Sequence, residues 1–450
     1  MCIGLAPLFT YKNNEHQLLR SSPFASARHN PMRVAVVGAG IIGITTAYEL
    51  AADGHEVTVF ERRGAAAEET SFANAGVVAP GYVTPWAAPG MPGKVLSYLF
   101  SRHAPVKITL PLSGRELAWM WKWLRACKLA PYLANRSRLQ RLAFYSRERL
   151  HHLTTELELD YERSPGYMVL LRSEKDALLI EPGLQVLRDA GVVFKQISPD
   201  AVRQIEPALN PDTAFLGAVH LPDDEVANCR QFALLLKNEA QRLGVIFELN
   251  TTVAQLGRAQ AASVLIAGEA APRAFDRVVV CAGLASAELL RPLGLKIPMA
   301  AVYGYSISAT IREPLNAPRS ALMDERYKVA ISRLGNRVRV AGGAEIGGSL
   351  QSRHASSLQT LYKVLHDWFP GAVRHSNAHG SVQEWKGARP MLPDGPPIIG
   401  DSGLPGLWLN LGHGSSGWAL SCGSARALAD LMAGKPTEID MEGLDVSRLG

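Results

Sequence analysis

The sequence RVAVVGAGIIGITTAYELAADGHEVTVFE, residues 33–61, determines which fold we expect. It begins with an apolar, β-branched run, Val34–Val37, which is too short for a helix and typical of a buried parallel strand. A glycine-rich turn follows, then a helical segment over Ile44–Ala52, and then a second β-rich run over Val57–Phe60. Glu61 closes this strand–helix–strand unit.

Each glycine of the turn has a separate role. Gly38 allows the chain to turn out of the strand, Gly40 allows the backbone to approach a pyrophosphate, and Gly43 allows helix and strand to pack closely. The helix N-terminus offers N–H groups and a partial positive charge to phosphates. Glu61 follows about 20 residues later, where a carboxylate can bind both ribose hydroxyls of an adenosine. An acid there argues against a 2′-phosphate, so the unit predicts a site for NAD or FAD.

The composition excludes several classes of protein. With 450 residues the chain is long enough for two domains. A net charge of +6 without a Lys/Arg block argues against nucleic acid, and it fits an acidic substrate or an anionic membrane surface. The five cysteines are scattered, which predicts reduced thiols on the cytoplasmic side and no metal site. No apolar run is long enough to predict a membrane-spanning helix.

The first 31 residues form a separate segment. They are polar and lack the apolar core of a secretory signal, and their Arg and Ser content only faintly resembles a transit peptide. We expect a disordered extension over residues 1–31, and we favour Met32 as the true first residue.

Two further stretches predict contacts with the same cofactor. The small polar residues Thr70, Ser71, Asn74, Ala75 and Gly76 suit a loop that wraps phosphates and a ring, although such residues are also common in ordinary turns. Near the C-terminus, WLNLG predicts a strand, Gly412–Gly417 a glycine-rich turn, and Trp418–Ala433 a helix. This second unit offers another helix N-terminus to an anion.

The middle of the chain predicts helices and an antiparallel sheet. The segment SGRELAWMWKWLRACKL, which includes Trp119 to Lys128, predicts a buried helix or, alternatively, an interfacial surface with aromatic and cationic anchors. Residues 297–345 alternate apolar and polar side chains, as in an antiparallel sheet with one solvated or ligand-facing side. The proline-rich segment 387–400, GARPMLPDGPPIIG, predicts a rigid loop.

Two glycine turns near opposite ends of the chain resemble the FAD-dependent D-amino-acid oxidase superfamily. There the first turn holds the pyrophosphate and the last faces the flavin ring. The segments ETSFANAGVVAPGYVTPWAAPG, MDERYKVAISR, GARPMLPDGPPIIG and GHGSSGWALSCGS look like the D-amino-acid dehydrogenase small-subunit family. The similarity runs from about Met32 to the C-terminus.

The resemblance implies a mixed α/β (α+β) fold with FAD as the cofactor. We expect a Rossmann-like FAD-binding domain made of the discontinuous segments 32–110, 195–295 and 386–450. A substrate domain with a mixed antiparallel sheet and helices would comprise 111–194 and 296–385. The residues expected at FAD are Val37, Gly38, Ala39, Gly40, Ile41, Ile42, Gly43, Glu61, Arg62, Thr70, Ser71, Asn74, Ala75, Gly76, Val253, Ala282, Gly283, Gly412, His413, Gly414, Ser415, Ser416 and Gly417.

The resemblance also implies oxidative deamination of a D-amino acid to a 2-oxo acid and ammonia, with a hydride passing from Cα to flavin N5. A neutral amine needs no side-chain base for this step. Arg389 is expected to bind the carboxylate through two parallel hydrogen bonds. Tyr327 is expected to reach the same carboxylate, and Tyr305 is a weaker candidate on an alternating strand. His413 either polarises the reduced flavin or orients its loop.

Several alternatives remain open from the sequence. One is an amine oxidase or dehydrogenase acting on glycine, sarcosine, D-proline or D-hydroxyproline. Another is a non-catalytic flavin subunit that relays electrons, and a nicotinamide enzyme would leave the 412–417 turn unexplained. For a dehydrogenase the implied acceptor is a quinone or another membrane carrier. We therefore expect a cytoplasmic protein that contacts the inner face of the membrane peripherally, with Trp119–Lys128 as the contact.

Overall fold

The computed structural model describes residues 30–98, 103–189, 191–257, 262–373 and 382–449. The predicted disordered extension therefore lies almost entirely outside the described residues. From Met32 onward the chain forms one continuous unit. None of the helices in these ranges is long and apolar enough to cross a bilayer.

The described residues contain nineteen strands and ten α-helices. The strands are β1 (Arg33–Val37), β2 (Glu56–Phe60), β3 (Val77–Val78), β4 (Val106–Ile108), β5 (Arg163–Leu171), β6 (Lys195–Ile197), β7 (Gly217–Ala227), β8 (Ile246–Glu248), β9 (Val253–Gly257), β10 (Ala262–Ile266), β11 (Arg273–Phe275), β12 (Arg277–Val280), β13 (Ala300–Thr310), β14 (Ala321–Asp324), β15 (Val329–Leu334), β16 (Arg337–Ile346), β17 (Val382–Met391), β18 (Ile398–Asp401) and β19 (Leu407–Leu411). The helices are α1 (Ile41–Ala52), α2 (Met91–Tyr98), α3 (Gly114–Ala126), α4 (Leu129–Glu156), α5 (Glu174–Asp189), α6 (Pro199–Ile205), α7 (Cys229–Arg242), α8 (Ala285–Leu290), α9 (Ala355–Trp368) and α10 (Gly417–Met432).

A six-stranded sheet carries the first glycine turn. Its order is β18-β19-β12-β1-β2-β8, and all neighbours are parallel except β18. Val34 and Val36 of β1 pack with α1, α7 and α10, whereas Ala35 and Val37 pack with the three-stranded sheet β9–β11. Because both faces of β1 are covered, its apolar residues need not alternate with polar ones.

Helix α1 begins three residues earlier than the sequence predicts. It starts at Ile41, so Gly43 lies in its first turn rather than in the preceding loop. A Cβ atom on Gly43 would lie 2.9 Å from the carbonyl carbon of Gly38, so only glycine fits between helix and strand.

A second sheet forms the other layer, in the order β17-β13-β16-β15-β14-β5-β7-β3. Most pairs are antiparallel, and the β14–β5 and β16–β4 pairs are parallel, which confirms the predicted mixed α/β fold with an antiparallel region. Helix α9 covers one face, where Trp368 and Val364 pack on Ile307 and Val340. The opposite face is turned toward the glycine turns.

The segment 387–400 is not the single rigid loop that its prolines predict. Its first part is the end of β17, and its last residues begin β18. Pro390 is accommodated because β17 is an edge strand, where a missing N–H group breaks no ladder on the outer side. Arg389 is therefore held on a strand.

The predicted domain boundaries stay a prediction. Strands β3 and β7 fall in the segments assigned to FAD binding, and β17 crosses the predicted boundary at residue 386, yet all three pair in the second sheet.

Candidate active site

The turn after β1 is stabilised by contacts from two other segments. Gly38 has φ of +104°, and a Cβ atom there would lie 2.8 Å from the carbonyl oxygen of Cys281. The N–H of Ile41, at the start of α1, donates to Ser71 Oγ over 3.0 Å. The Ala39 N–H donates to Glu61 Oε2 over 2.8 Å. The turn and the acid that ends β2 therefore form one rigid unit.

A cavity of about 380 Å³ lies beside this unit. Sixteen of the predicted cofactor residues line it: Val37, Gly38, Gly40, Ile41, Ile42, Glu61, Arg62, Thr70, Ser71, Val253, Ala282, Gly283, Gly412, His413, Gly414 and Gly417. Ala39 and Gly43 do not line it, because Ala39 is fully buried and Gly43 packs against Gly38.

A second cavity, of about 300 Å³, continues from the first. The two cavities share five lining residues: Ile41, Thr70, Ser71, Gly414 and Gly417. The remaining predicted cofactor residues line the second cavity only: Asn74, Ala75, Gly76, Ser415 and Ser416. The two glycine turns thus border one continuous space.

The loop that joins the two cavities is fixed at both ends. Thr70 Oγ1 donates to the carbonyl oxygen of Ala388 over 2.7 Å, which links the loop to β17. At the other end, the indole N–H of Trp418 donates to the carbonyl oxygen of Gly76 over 3.3 Å. Between them, Asn74 Oδ1 accepts a bond from the Gly76 N–H over 2.9 Å. A small polar loop held in this way presents backbone and hydroxyl groups to the cavity.

Arg389 lies in the second cavity, on the strand that borders it. Its Nη1 donates to the carbonyl oxygen of Gly343 over 2.9 Å. Burial lowers the pKa of Arg389 to about 10, and no acid in the described part of the chain contributes to this shift. The guanidinium is charged at neutral pH and has five donors, so most of them remain available for an anion.

Tyr305 also lines the second cavity, but its hydroxyl is bound elsewhere. It donates to Glu345 Oε2 over 2.5 Å and accepts a bond from the His354 N–H over 3.2 Å. Lys386 Nζ lies 2.9 Å from the same Glu345 oxygen, and both side chains are almost fully buried. Burial and Glu345 raise the pKa of Tyr305 far above its usual range. The phenol therefore belongs to a buried network of charged groups.

The structure does not bring Tyr327 to Arg389. Tyr327 lies in the turn between β14 and β15 and lines neither cavity. Its ring lies 5.2 Å from the guanidinium of Arg172 and 5.6 Å from Lys363 Nζ. These cations, Arg172 between β5 and α5 and Lys363 of α9, hold the ring on the α9 side of the sheet. The predicted contact of Tyr327 with a substrate carboxylate stays a prediction that this placement does not support.

His413 is a neutral, buried side chain at the second glycine turn. Burial lowers its pKa to about 3. Its Nε2 lies 3.0 Å from Ser424 Oγ, and that hydroxyl donates to the carbonyl oxygen of Leu420 over 2.5 Å. Ser424 has one hydroxyl proton and donates it to Leu420, so in the contact between the two side chains His413 Nε2–H is the donor and Ser424 Oγ the acceptor. The contact ties the turn to α10, which favours the orienting role over polarisation by a charged imidazolium.

The donor groups of the first cavity fit FAD. Glu61 can accept from ribose hydroxyls, and Gly40 has no side chain to block a phosphate at the start of α1. The first turn of α1 offers its N–H groups there, apart from that of Ile41, which donates to Ser71 Oγ. Asn410 Oδ1 is buried at the cavity without a partner among the described residues, although Nδ2 donates to Thr46 Oγ1 over 3.0 Å. Near the second turn, α10 begins without a side-chain cap.

Several lining residues were missed from the sequence. Thr251 and Thr252 precede β9, and Trp385, Gly387 and Gly304 line the second cavity. Trp385, Gly387 and Arg389 recur at every second position, which is typical of a strand. The prediction of a loop over 387–400 did not take this pattern into account.

The fold and the two joined cavities define a dinucleotide-dependent oxidoreductase of the flavin type. The chain belongs to the family described as DAO, FAD dependent oxidoreductase, whose model matches residues 33–431. FAD is its cofactor, and the family resemblance predicted from the sequence is confirmed.

Curated relatives and solved structures agree with this family. The chain is 42% identical over 419 residues to a D-amino acid dehydrogenase of Bradyrhizobium diazoefficiens, covering 93% of this chain and 99% of the relative. It is 40% identical over 419 residues to a D-amino acid dehydrogenase of Allorhizobium ampelinum, covering 93% and 98%. The fold is similar to glycine oxidase from Geobacillus kaustophilus, with a TM-score of 0.68, 22% identity, and 93% and 99% of the two chains covered.

Proposed function

We propose that this chain oxidises D-amino acids to 2-oxo acids and ammonia. The observation that carries the proposal is the cationic guanidinium of Arg389, which has no acidic partner among the described residues and lies in the cavity that continues from the FAD site. Relatives named D-amino acid dehydrogenase, 40% and 42% identical over nearly the whole chain, support the substrate class. Bound FAD would supply the acceptor for the Cα hydride at N5.

Arg389 would bind and align the substrate carboxylate. Burial disfavours the charged guanidinium, and an anionic carboxylate would relieve this cost. Nη1 is partly used by Gly343, so Nη2 and Nε remain for a two-point contact. Such a contact would restrict rotation of the substrate, which is how a binding residue orients the Cα–H bond.

Among the described residues that line the second cavity with Arg389 there is no Asp, Glu or His. Among the described residues, its titratable lining groups are Tyr82, Tyr167, Tyr305, Lys328 and Arg389. Burial raises the pKa values of Tyr82 and Tyr167 well above the usual range for tyrosine, so these phenols stay protonated. This lining supports a neutral amine as the reacting form, with no proton abstraction by the protein.

A product assay tests this proposal. The purified holoenzyme would be incubated with D-alanine and an artificial electron acceptor, and pyruvate and ammonia would be quantified. The proposal predicts one pyruvate and one ammonia for each two-electron reduction of the acceptor, and none with L-alanine. Oxidation of glycine or sarcosine without oxidation of D-alanine would contradict it.

We also propose that the electrons pass to a quinone or similar membrane carrier, and that the chain contacts the membrane peripherally on its cytoplasmic side. The supporting feature is the outer side of α3 and the start of α4, which we name the α3 surface. Its exposed apolar side chains are Leu117, Trp121, Leu124, Leu129 and Leu133, and Leu110 is exposed in the segment before α3. Leu117, Trp121 and Leu124 recur at helical spacing, so they form one stripe.

Charge complementarity favours an anionic lipid surface as the partner. Arg115, Lys122, Arg125 and Lys128 are exposed around this stripe. The acid in α3, Glu116, accepts bonds from the N–H and hydroxyl of Ser113 at the helix start. An apolar stripe edged by cations is the pattern of a helix that lies in a membrane interface.

The inner face of α3 differs from this surface. Trp119 and Trp123 are buried on this face. The prediction that the helix is buried therefore holds for the inner face of α3 and not for its outer face. The Trp119 indole N–H donates to the carbonyl oxygen of Met391 over 2.9 Å, two residues beyond Arg389. Helix α3 therefore packs with its inner face on β17, the strand that carries Arg389, and presents the proposed membrane contact on its outer face.

Sedimentation with vesicles tests the membrane contact. The holoenzyme should bind vesicles that contain phosphatidylglycerol, and the double variant Trp121→Ser, Leu124→Ser should bind at least about 10-fold more weakly. The double variant Leu178→Ser, Leu315→Ser removes two leucines elsewhere that are more exposed than Trp121 and Leu124, and it is the control. Equal binding by the two double variants would contradict the assignment of this surface.

A further inference from the structure

Two glycines face each other on the floor of the second cavity. Gly304 of β13 and Gly387 of β17 are directly paired, and both line the cavity. A Cβ atom on Gly304 would lie 2.6 Å from the guanidinium carbon of Arg389. A Cβ atom on Gly387 would lie 2.5 Å from Cζ3 of Trp385. These glycines therefore allow a guanidinium and an indole to lie flat on the sheet.

The guanidinium and the indole are close neighbours. Trp385, Gly387 and Arg389 lie on the same face of β17, because side chains two residues apart share a face. The Cβ positions of directly paired residues are about 5 Å apart, so the groups that cover Gly304 and Gly387 lie next to each other. A carboxylate bound at the guanidinium would therefore bring the rest of the same amino acid close to the indole.

The indole is supported from behind. The Phe72 ring lies 6.5 Å from the Trp385 ring at an angle of 31°. The Arg230 guanidinium lies 4.4 Å from the centre of the Phe72 ring. Phe72 belongs to the loop whose neighbours Thr70 and Ser71 are bonded to β17 and α1. The indole is therefore a fixed apolar wall.

We infer that Trp385 is a specificity-determining residue, whose indole bounds the subsite for the substrate side chain. The inference rests on the proposed function, with the substrate carboxylate at Arg389. The subsite takes small apolar side chains, such as the methyl group of D-alanine, and the indole limits larger ones. The Gly304–Gly387 pair makes this arrangement possible, because a side chain on either glycine would displace the indole or the guanidinium.

Substrate profiles of Trp385 variants test the inference. We would measure kcat and KM for D-alanine and D-phenylalanine with the wild type, Trp385→Phe and Trp385→Leu. The kcat/KM for D-phenylalanine divided by that for D-alanine should rise at least 10-fold in Trp385→Leu and less in Trp385→Phe. Gly387→Ala should also change this ratio, whereas Gly183→Ala, where a Cβ meets nothing within 4 Å, should not.

Binding of unreactive carboxylates gives a second readout that does not depend on turnover. The dissociation constants of acetate and benzoate would be measured from the visible spectrum of each holoenzyme. Trp385→Leu should change the benzoate-to-acetate ratio at least 10-fold, with FAD content unchanged. Ratios within twofold of wild type in both Trp385 variants would overturn the inference. If the wild type oxidises no D-amino acid, the proposed function fails, and the carboxylate ratios alone decide the role of Trp385.

Discussion

The carboxylate of Glu61 and the backbone N–H of Ala39 are joined by a 2.8 Å hydrogen bond across the first glycine turn. The other carboxylate oxygen accepts from the Arg63 N–H over 2.8 Å. Each oxygen is therefore oriented by one backbone donor and retains lone pairs for ribose hydroxyls. Glu61 thus connects the conformation of the turn with recognition of the adenosine.

Glu61→Ala should weaken FAD binding by at least about 10-fold, because each hydrogen bond to a charged acceptor contributes on the order of 1.5–3 kcal/mol. Titration of the apoprotein with FAD, followed by flavin fluorescence, gives the dissociation constant. Glu56→Ala, at the exposed start of the same strand, is the control. An unchanged FAD affinity in Glu61→Ala would refute the role assigned to this acid.

Gly40→Val should abolish FAD binding and leave a folded apoprotein. A Cβ atom at Gly40 meets only Ser71 Oγ, at 3.5 Å, so the fold can accept a side chain there. The branched side chain would instead occupy the space that a pyrophosphate needs. The flavin-to-protein ratio and the circular dichroism spectrum check this prediction together. A fully flavinylated variant would contradict the position of the cofactor.

Arg389→Ala should retain FAD but lose about 10²–10⁴-fold in kcat/KM, because two charge-assisted hydrogen bonds are removed. Arg389→Lys should recover only part of this loss, since lysine restores the charge but not the two-point contact. Arg312→Ala, an exposed arginine, should behave as wild type. Near-normal kcat/KM in Arg389→Ala would remove Arg389 from the substrate site.

His413 should contribute no step to the pH dependence of activity between pH 5 and pH 9. Burial lowers the pKa of His413 to about 3, so the imidazole is neutral throughout this range. The shape of the kcat/KM profile against pH should be the same in His413→Asn as in wild type. A limb near pH 6 to 7 that is present in wild type and absent in the variant would show that this histidine titrates.

Asp224 should make stability fall as pH rises. Burial raises the pKa of Asp224 to about 7, against 3.8 for an ordinary Asp. The folded state therefore binds this proton more tightly than the unfolded state, and the associated stability is lost between about pH 4 and pH 7. Asp224→Asn should be more stable at pH 8 by on the order of 2–4 kcal/mol. Thermal unfolding at pH 5 and pH 8 measures this, with the exposed neighbour in Asp223→Asn as the control. A lower Tm for Asp224→Asn at pH 8 would show that the ion pair with Arg147 dominates.

The first glycine unit could be predicted because its signals are local. A buried strand, a turn that needs glycine and a helix with free N–H groups lie within residues 33–61. The second turn at 412–417 follows the same pattern, and its helix, predicted over Trp418–Ala433, spans Gly417–Met432 in the structure. The glycines alone are consistent with either NAD or FAD as the cofactor. The family resemblance identified it as FAD.

The substrate side of the site was harder to predict, because it depends on register between distant strands. Gly304 and Gly387 are more than 80 residues apart in the sequence, and only the β13–β17 pairing brings them together. The position of Tyr327 likewise depends on distant segments, since Arg172, between β5 and α5, and Lys363 of α9 lie against its ring. No local sequence pattern indicates the Gly304–Gly387 pairing or the contacts of the Tyr327 ring.

An anaerobic titration tests the central claim most directly. The holoenzyme would be mixed under nitrogen with D-alanine or L-alanine, and the visible flavin absorption would be recorded. Our account predicts that D-alanine bleaches the flavin band of the wild type and that L-alanine does not. It also predicts that D-alanine at the same concentration leaves the band of Arg389→Ala largely unchanged. A wild-type band that no D-amino acid bleaches would contradict the account.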